Sequence, residues 1–446
     1  MKILILGSDG RAHALAWKLF SSSVADEIFC APGNGGTSLL VPSVELDVQN
    51  PAEIGRWAFD RGIELIVPTD ETVLLAGLVD EIVSLYIAVC GPPQRAAQLA
   101  FSRCATHTFL HKHDLAAPRG RTCTDLSTAE KYLAAQPLPI GLRADRPHER
   151  DGIYTDRYTA LEALRTIFSD QQLNQQGKGV IIEEALEGAP ISFSAITDGQ
   201  SLVPLLPVRT YDRLESGDGG LVAPGMGAHS STSNYAIRLG EYLQQRIMHP
   251  LLSALARDGI PHWGVLGIDC IITNHGPKVI TLRNTLRSME AEVLLPRMDE
   301  DILPVLRDAV GQNLGHVAKL RWRAEPSVGI GLMTQDYPRY LAAGGAIHGL
   351  SELEAGTFAF HNQTHNPAGM RYQAQSRGPN PLFSFLPGST TSQASNLAIT
   401  TTGGHPLSIV ASGSTLEEAR RRALRGAECV TFTGRNYRDD IGAKDF

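Results

Sequence analysis

Short apolar runs alternate with amphipathic stretches over the first hundred residues, and this alternation limits the fold more than any other feature of the chain. Residues 2–6 are apolar after Lys2 and are broken by Gly7-Ser8-Asp9-Gly10-Arg11 before an amphipathic stretch over 12–20. A second run at 27–30 ends in Ala31-Pro32-Gly33-Asn34-Gly35-Gly36-Thr37, and a third at 65–67 ends in Pro68-Thr69-Asp70-Glu71. Between them Asn50-Pro51 predicts a helix start, because Asn accepts from the orphan N–H groups of a first turn and Pro tolerates its first position. With a further strand ending at Val89-Cys90-Gly91, the pattern predicts a doubly wound parallel sheet with ligands at the C-terminal strand ends. Loop 7–11 would then lie at a helix N-terminus, where free N–H groups and partial positive charge favour phosphate or carboxylate. Its spacing is not GxGxxG, and a strand-Gly-helix turn with no ligand is the alternative.

The middle of the chain reads differently. Two β-branched runs, 265–273 and 278–282, flank Asn274-His275-Gly276-Pro277, which predicts a β-hairpin. It empties into a charged stretch from Arg283 to Glu292, either a solvated loop or a ligand site. Residues 299–314 read as a helix, and a linker falls around 323–326. Asn366 to Asn396, rich in Ser, Thr, Gln, Asn and Pro, reads as a long surface loop. Near the end, 404–412 predicts a strand, and Thr415-x-x-Glu418 is a capping box before a helix with Leu416, Ala419, Ala423 and Ala427 on one face.

With 446 residues, 43% of them hydrophobic, the chain can build two or three cores. A formal charge of −7 and no Lys/Arg run exclude a general nucleic-acid binder. The six cysteines are scattered without a CxxC pair, as expected of reduced, buried thiols. No apolar run approaches the roughly 18 residues of a membrane span and none suits a signal peptide, so a cytoplasmic location is expected, with no membrane partner. Nothing in the pattern specifies an oligomeric state.

Particular motifs resemble those of the phosphoribosylamine-glycine ligases, also called glycinamide ribonucleotide synthetases, ATP-grasp enzymes of purine synthesis. They are Gly7-x-x-Gly10-Arg11-x-His13-Ala14, then Pro32-Gly33-Asn34, Glu183-Glu184-x-Leu186, Gly225-Met226-Gly227-Ala228, Gly276-Pro277-Lys278-Val279, Glu290 with Val293 to Arg297, and Arg438-Asp439-Asp440-Ile441-Gly442. The resemblance implies an N-terminal doubly wound α/β domain over 1–101, an ATP-grasp domain over 102–323 and a small C-terminal α+β domain over 327–446. It implies a phosphoribosyl ligand at Gly7, Gly10, Arg11, Gly33, Asn34 and Glu71, and nucleotide contacts from Arg103, Arg143, Glu183 and Leu186. Asp218 and Glu290 take the catalytic positions.

The same comparison exposes departures. Arg103 and Arg143 stand where the family has nucleotide lysines, and Asp151 replaces a second loop lysine. Arg146-Pro147-His148-Glu149-Arg150 replaces small residues that close over triphosphate; bulky side chains and a proline remove that backbone approach. A carboxylate facing a phosphate at about 4 Å costs roughly 4 kcal/mol at an effective dielectric near 20. Thr281 and Arg283 stand where a Glu and an Asn hold magnesium, and Thr285 where the family has an arginine. The expectations are weak or lost ATP binding, doubtful magnesium, no metal ligands, and weak or lost ligation. The alternatives are an active ligase with a remodelled nucleotide site, or a non-catalytic binding or regulatory protein. Arg283 and Arg287 are candidates for a metal-independent anion site; otherwise each pairs with a neighbouring acid.

Overall fold

The structure is a computed structural model that describes residues 1–170, 179–317, 319–339, 343–371 and 398–446. Most of the long loop expected over 366–396 lies outside the described residues. Near the N-terminus, four parallel strands run in the order Glu27–Pro32, Lys2–Gly7, Leu65–Pro68, Ala88–Val89, the doubly wound arrangement expected. Helix Pro51–Arg61 starts as Asn50-Pro51 predicts, with the Asn50 side chain accepting from the Glu53 N–H, and stops at Gly62 with φ 65°. Positive φ costs a side chain-bearing residue energy that glycine escapes.

Two antiparallel sheets follow. The smaller has the order Gly120–Cys123, Val180–Glu184, Ile140–Ala144, Gly152–Tyr154. Its apolar face buries Leu142, Val180 and Ile182 against Ala129 and Leu133 of helix Leu126–Ala135 and Leu164 and Ile167 of helix Arg157–Ser169. The larger sheet runs in the order Gly276–Arg283, Gly264–Thr273, Ala189–Thr197, Val208–Glu215, Gly219–Ser230, Ser327–Thr334, Leu407–Ser412, Thr357–His361. Pairing of Gly227 with Ile330 carries this sheet across the linker, so the C-terminal strands extend the central sheet. Helix Leu416–Cys429 covers it with Ala419, Ala423 and Ala427 buried and Thr415 capping the Glu418 N–H. The 299–314 helix is shorter than expected: Ile302–Val310, capped by Asp301.

The expected hairpin closes with Thr273 opposite Gly276 and turns on Asn274 and His275. The stretch after it is not a solvated loop. Arg283, Asn284, Thr285, Glu290 and Glu292 are all buried, and Glu290–Leu294 forms a short helix wedged between helix Gly10–Phe20 and strands of the large sheet.

Candidate functional site

Strand Gly276–Arg283 delivers Arg283 into the protein rather than to its surface. Its Nε donates to Asp269 Oδ1 at 3.1 Å, and Nη1 donates to Glu290 Oε2 at 2.9 Å and to the Thr285 carbonyl at 3.0 Å. Nη2 donates to the hydroxyls of Ser192 and Ser194. All five N–H donors of a guanidinium are thereby used. Burial opposes its charge, but Asp269 and Glu290 more than offset that and raise its pKa. Of the two expectations for Arg283, an anion site or pairing with a neighbouring acid, its contacts here are those of the second: its fork grips two carboxylates of its own chain.

Arg287 is committed in a similar way, with Nη2 on Asp212 and Nη1 2.9 Å from Asp269 Oδ2. Burial works against ionised Asp269, yet Arg283, then Arg287 and the Thr281 hydroxyl, hold it down to about 2. Thr281 Oγ1 donates to Asp269 Oδ2 at 2.8 Å. Glu290, completely buried, accepts from Ser194 Oγ at 2.8 Å and the Arg287 N–H at 2.8 Å besides Arg283. A divalent cation needs oxygen ligands, and here two arginines already neutralise the acids. These residues do not fit magnesium. Glu290, which the resemblance puts at a catalytic position, is paired here with Arg283 at 2.9 Å.

On the nucleotide side, Arg143 does reach across from the small sheet, donating from Nη1 to the Ile280 carbonyl at 2.9 Å. Its other nitrogens grip Glu183 at 2.6 and 2.9 Å, so these two expected nucleotide contacts are bound to each other. Leu186 is half-buried between strands Val180–Glu184 and Ala189–Thr197. Arg103 pairs with Asp151 Oδ2 at 2.5 Å. Asp151 also accepts from the N–H groups of Ala144 at 2.8 Å and His148 at 3.2 Å. The residue in the second lysine's place therefore ties the loop down. Arg146 folds over the Phe101 ring and donates to the Phe101 carbonyl.

At the N-terminal loop, Asp9 caps helix Gly10–Phe20, its Oδ1 accepting from the N–H groups of Arg11 at 3.1 Å and Ala12 at 3.3 Å. The Gly10 N–H goes to Asn362 Oδ1 at 2.6 Å, and the His13 N–H to the Asp9 carbonyl at 3.1 Å. The expectation of free N–H donors here is thus corrected for residues 10–13: the chain's own Asp9 occupies the anion position. Arg11 also lies on Asp9, with Nε 2.7 Å from Oδ2, and its Nη1 reaches the Leu286 carbonyl at 3.2 Å. Asn34 brackets the loop, donating to the carbonyls of Ser8, Asp9 and His361 and accepting from Gly36 and Thr37. Gly33 has φ 72°, and a Cβ on Gly7 would collide with Thr69 Oγ1. Glu71 Oε1 accepts the Asn284 N–H at 2.8 Å, and burial raises its pKa.

Asp218 stands apart. It caps the hairpin of Val208–Glu215 and Gly219–Ser230 at φ 61° and pairs with Arg438 at 2.9 Å; no hydrogen bond or ion pair joins it to Glu290 among the described residues. The sequence reading missed Asp9 as a cap, Asp269, Asp212 and Asn362. Only Asp9 carried a local signal, an N-cap residue before a helix. A roomier cavity of about 320 Å³ lies against Leu252, Leu255, Ile260, His262 and Trp263, and none of the residues named from the sequence lines it.

A parallel N-terminal sheet followed by a small and a large antiparallel sheet, the larger extended by C-terminal strands, defines an ATP-grasp protein. The description "Phosphoribosylglycinamide synthetase" matches in three parts: its N domain over residues 1–100, its ATP-grasp (A) domain over 101–291 and its C domain over 327–444. The chain belongs to this phosphoribosylglycinamide synthetase family. It is 31% identical to the phosphoribosylamine–glycine ligase of Synechocystis sp. over 449 residues, covering 100% of both. It is 29% identical to the trifunctional purine biosynthetic protein adenosine-3 of Gallus gallus, of which it spans 42%. The solved phosphoribosylamine–glycine ligase of Thermotoga maritima shares the fold at a TM-score of 0.77 and 22% identity, over 99% of this chain and 100% of that one.

Proposed function

We propose that this member of a purine-biosynthetic ligase family carries out ATP-dependent ligation weakly or not at all, and acts as a binding or regulatory protein. The observation that carries this reading is Arg283. The resemblance puts magnesium near this strand, and here a tethered guanidinium lies between Asp269 and Glu290 with every donor used. Phosphoryl transfer relies on metal to neutralise charge on the phosphate oxygens, and these acids are already neutralised. Arg143 held by Glu183 and Arg103 held by Asp151 support the same reading. A phosphoribosyl ligand, the small molecule that the resemblance implies, would meet Asp9 beside Arg11 rather than free N–H groups.

A working ligase on these or another amine and acid is the second reading, favoured by Arg143 spanning from the small sheet to Ile280. Magnesium-ATP titration separates the two, with the Synechocystis enzyme measured in parallel. The expected result is a negligible rise in melting temperature and no ADP formed with glycine and phosphoribosylamine. A rise equal to that of the relative, with ADP release, overturns the proposal.

A further inference from the structure

Glu292 is completely buried, and no side chain hydrogen-bonds either of its carboxyl oxygens; the backbone N–H groups of Glu292 itself and Met289 favour its charge, but burial outweighs them. A buried ionised carboxylate without a cationic partner is among the most costly arrangements in a protein. It sits where three parts of the fold meet. Its own short helix, Glu290–Leu294, belongs to the central region. Its Oε1 lies so close over Gly10 that a Cβ there would collide with it, and on the same side Asn362 from the C-terminal region holds the Gly10 N–H.

The surrounding charges do not compensate it. From the N-terminal element, Asp9 opposes its ionisation and Arg11 favours it, but Arg11 is already gripped by Asp9. His13 accepts the His361 N–H, and Lys18 donates to the Met298 carbonyl. On its own segment, Glu290 is taken by Arg283 and Arg297 by Ser230. The strands Gly219–Ser230, Ser327–Thr334 and Leu407–Ser412 that pack against the helix contain His229 and no Asp, Glu, Lys or Arg.

We propose that Glu292 is a proton-operated latch: protonated, it lets loop 7–11 seat on helix Glu290–Leu294, and ionised, it drives that loop off. Burial first, and then Asp9, push its pKa up to about 8, against an ordinary 4.5. Below 4.5 the carboxyl is protonated in both states. Between 4.5 and 8 the opened state releases a proton that the seated state keeps. The opening equilibrium therefore rises tenfold per pH unit across that window and levels off above it.

Hydrogen–deuterium exchange of amides 10–16 in the intact chain, corrected for the intrinsic pH dependence of exchange, reads this equilibrium. The expected result is a corrected rate rising about tenfold from pH 6 to 7 and flattening above 8, and the same rate nearly constant with pH in Glu292→Gln. Amides of helix Leu126–Ala135, in the small-sheet layer, serve as a reference that does not move. A pH-independent rate in the parent protein overturns the latch, and this arm needs no variant to fold. A slope that survives in Glu292→Gln, or in Glu292→Met if the glutamine variant misfolds, assigns the titration to another group and also overturns it.

Discussion

Arg283→Ala removes one side chain and leaves two buried acids facing the space it held. Breaking a buried ion pair by deleting one partner costs about 3–5 kcal/mol, because the remaining charge stays desolvated. Asp269 would keep Arg287 and Thr281, and Glu290 would keep Ser194 and the Arg287 N–H. These survivors place the loss near the lower end, about 3–4 kcal/mol. For a folding unit of roughly 150–250 residues each kcal/mol moves the melting temperature by about 2–4 °C, so a fall of about 6–16 °C is expected by calorimetry at pH 7.5. Adding Glu290→Gln should restore part of it, since one stranded charge is gone, and the two changes should be non-additive by about 0.5–3 kcal/mol. Magnesium should raise the melting temperature of Arg283→Ala and leave that of the parent unchanged, because only the variant exposes Asp269 and Glu290 to a cation. A fall below about 3 °C in a variant with unchanged circular dichroism would refute the claim that this guanidinium carries those acids.

Asp9→Gly frees the N–H groups of Arg11 and Ala12 at a cost of a few tenths of a kcal/mol, and calorimetry should find ribose 5-phosphate bound more tightly than by the parent; equal or weaker binding counts against Asp9 as the group that fills the anion position. Asp151→Ala unfastens Arg103 and the N–H groups of Ala144 and His148, so limited proteolysis should cut faster within 146–151, and an unchanged cleavage rate would show that the loop is held elsewhere. Burial lowers His262, His361 and His405 to about 4 from 6.5. Above 6.5 both folded and unfolded states are neutral; as pH falls towards 4 the unfolded chain binds protons that the folded chain refuses, so stability drops by about 2 kcal/mol per histidine at pH 5. The melting temperature should fall between pH 7 and 5, less steeply in His405→Gln, and a flat profile would contradict the burial argument.

How far the chain could be read in advance depended on whether the relevant interaction was local. Helix Pro51–Arg61 begins where Asn50-Pro51 says it should, and the hairpin turns on Asn274-His275 because capping and turn chemistry act over two to four residues. The four parallel strands followed from apolar runs broken by glycine and proline. The hairpin register did not. Counting back from its closing pair puts Asp269 opposite Ile280, but a bulge shifts the ladder and Thr281 stands there. One extra residue reverses which side chains share a face, and that brings Thr281 onto Asp269 and leaves the Ile280 carbonyl to Arg143.

Local residue patterns alone determined the parallel N-terminal sheet and the central hairpin, and the resemblance of the motifs implied the ATP-grasp architecture, with arginines and a threonine in place of the family's lysines and metal ligands. Whether those arginines face solvent, a ligand or an internal acid was decided by folding: Arg283 takes acids 7 and 14 residues away, whereas Arg143 takes Glu183 across 40 residues and Arg103 takes Asp151 across 48. Ser192 and Ser194 reach Arg283 across 91 and 89 residues, and Asn362 reaches Gly10 across 352. A guanidinium has no preference written in its own neighbourhood. It goes to whichever carboxylate the packed core brings within hydrogen-bond reach, because desolvation makes an unpaired charge there too costly to leave. Glu292 is the case in which packing brought no such partner, and only the assembled junction of loop 7–11, helix Glu290–Leu294 and Asn362 shows it.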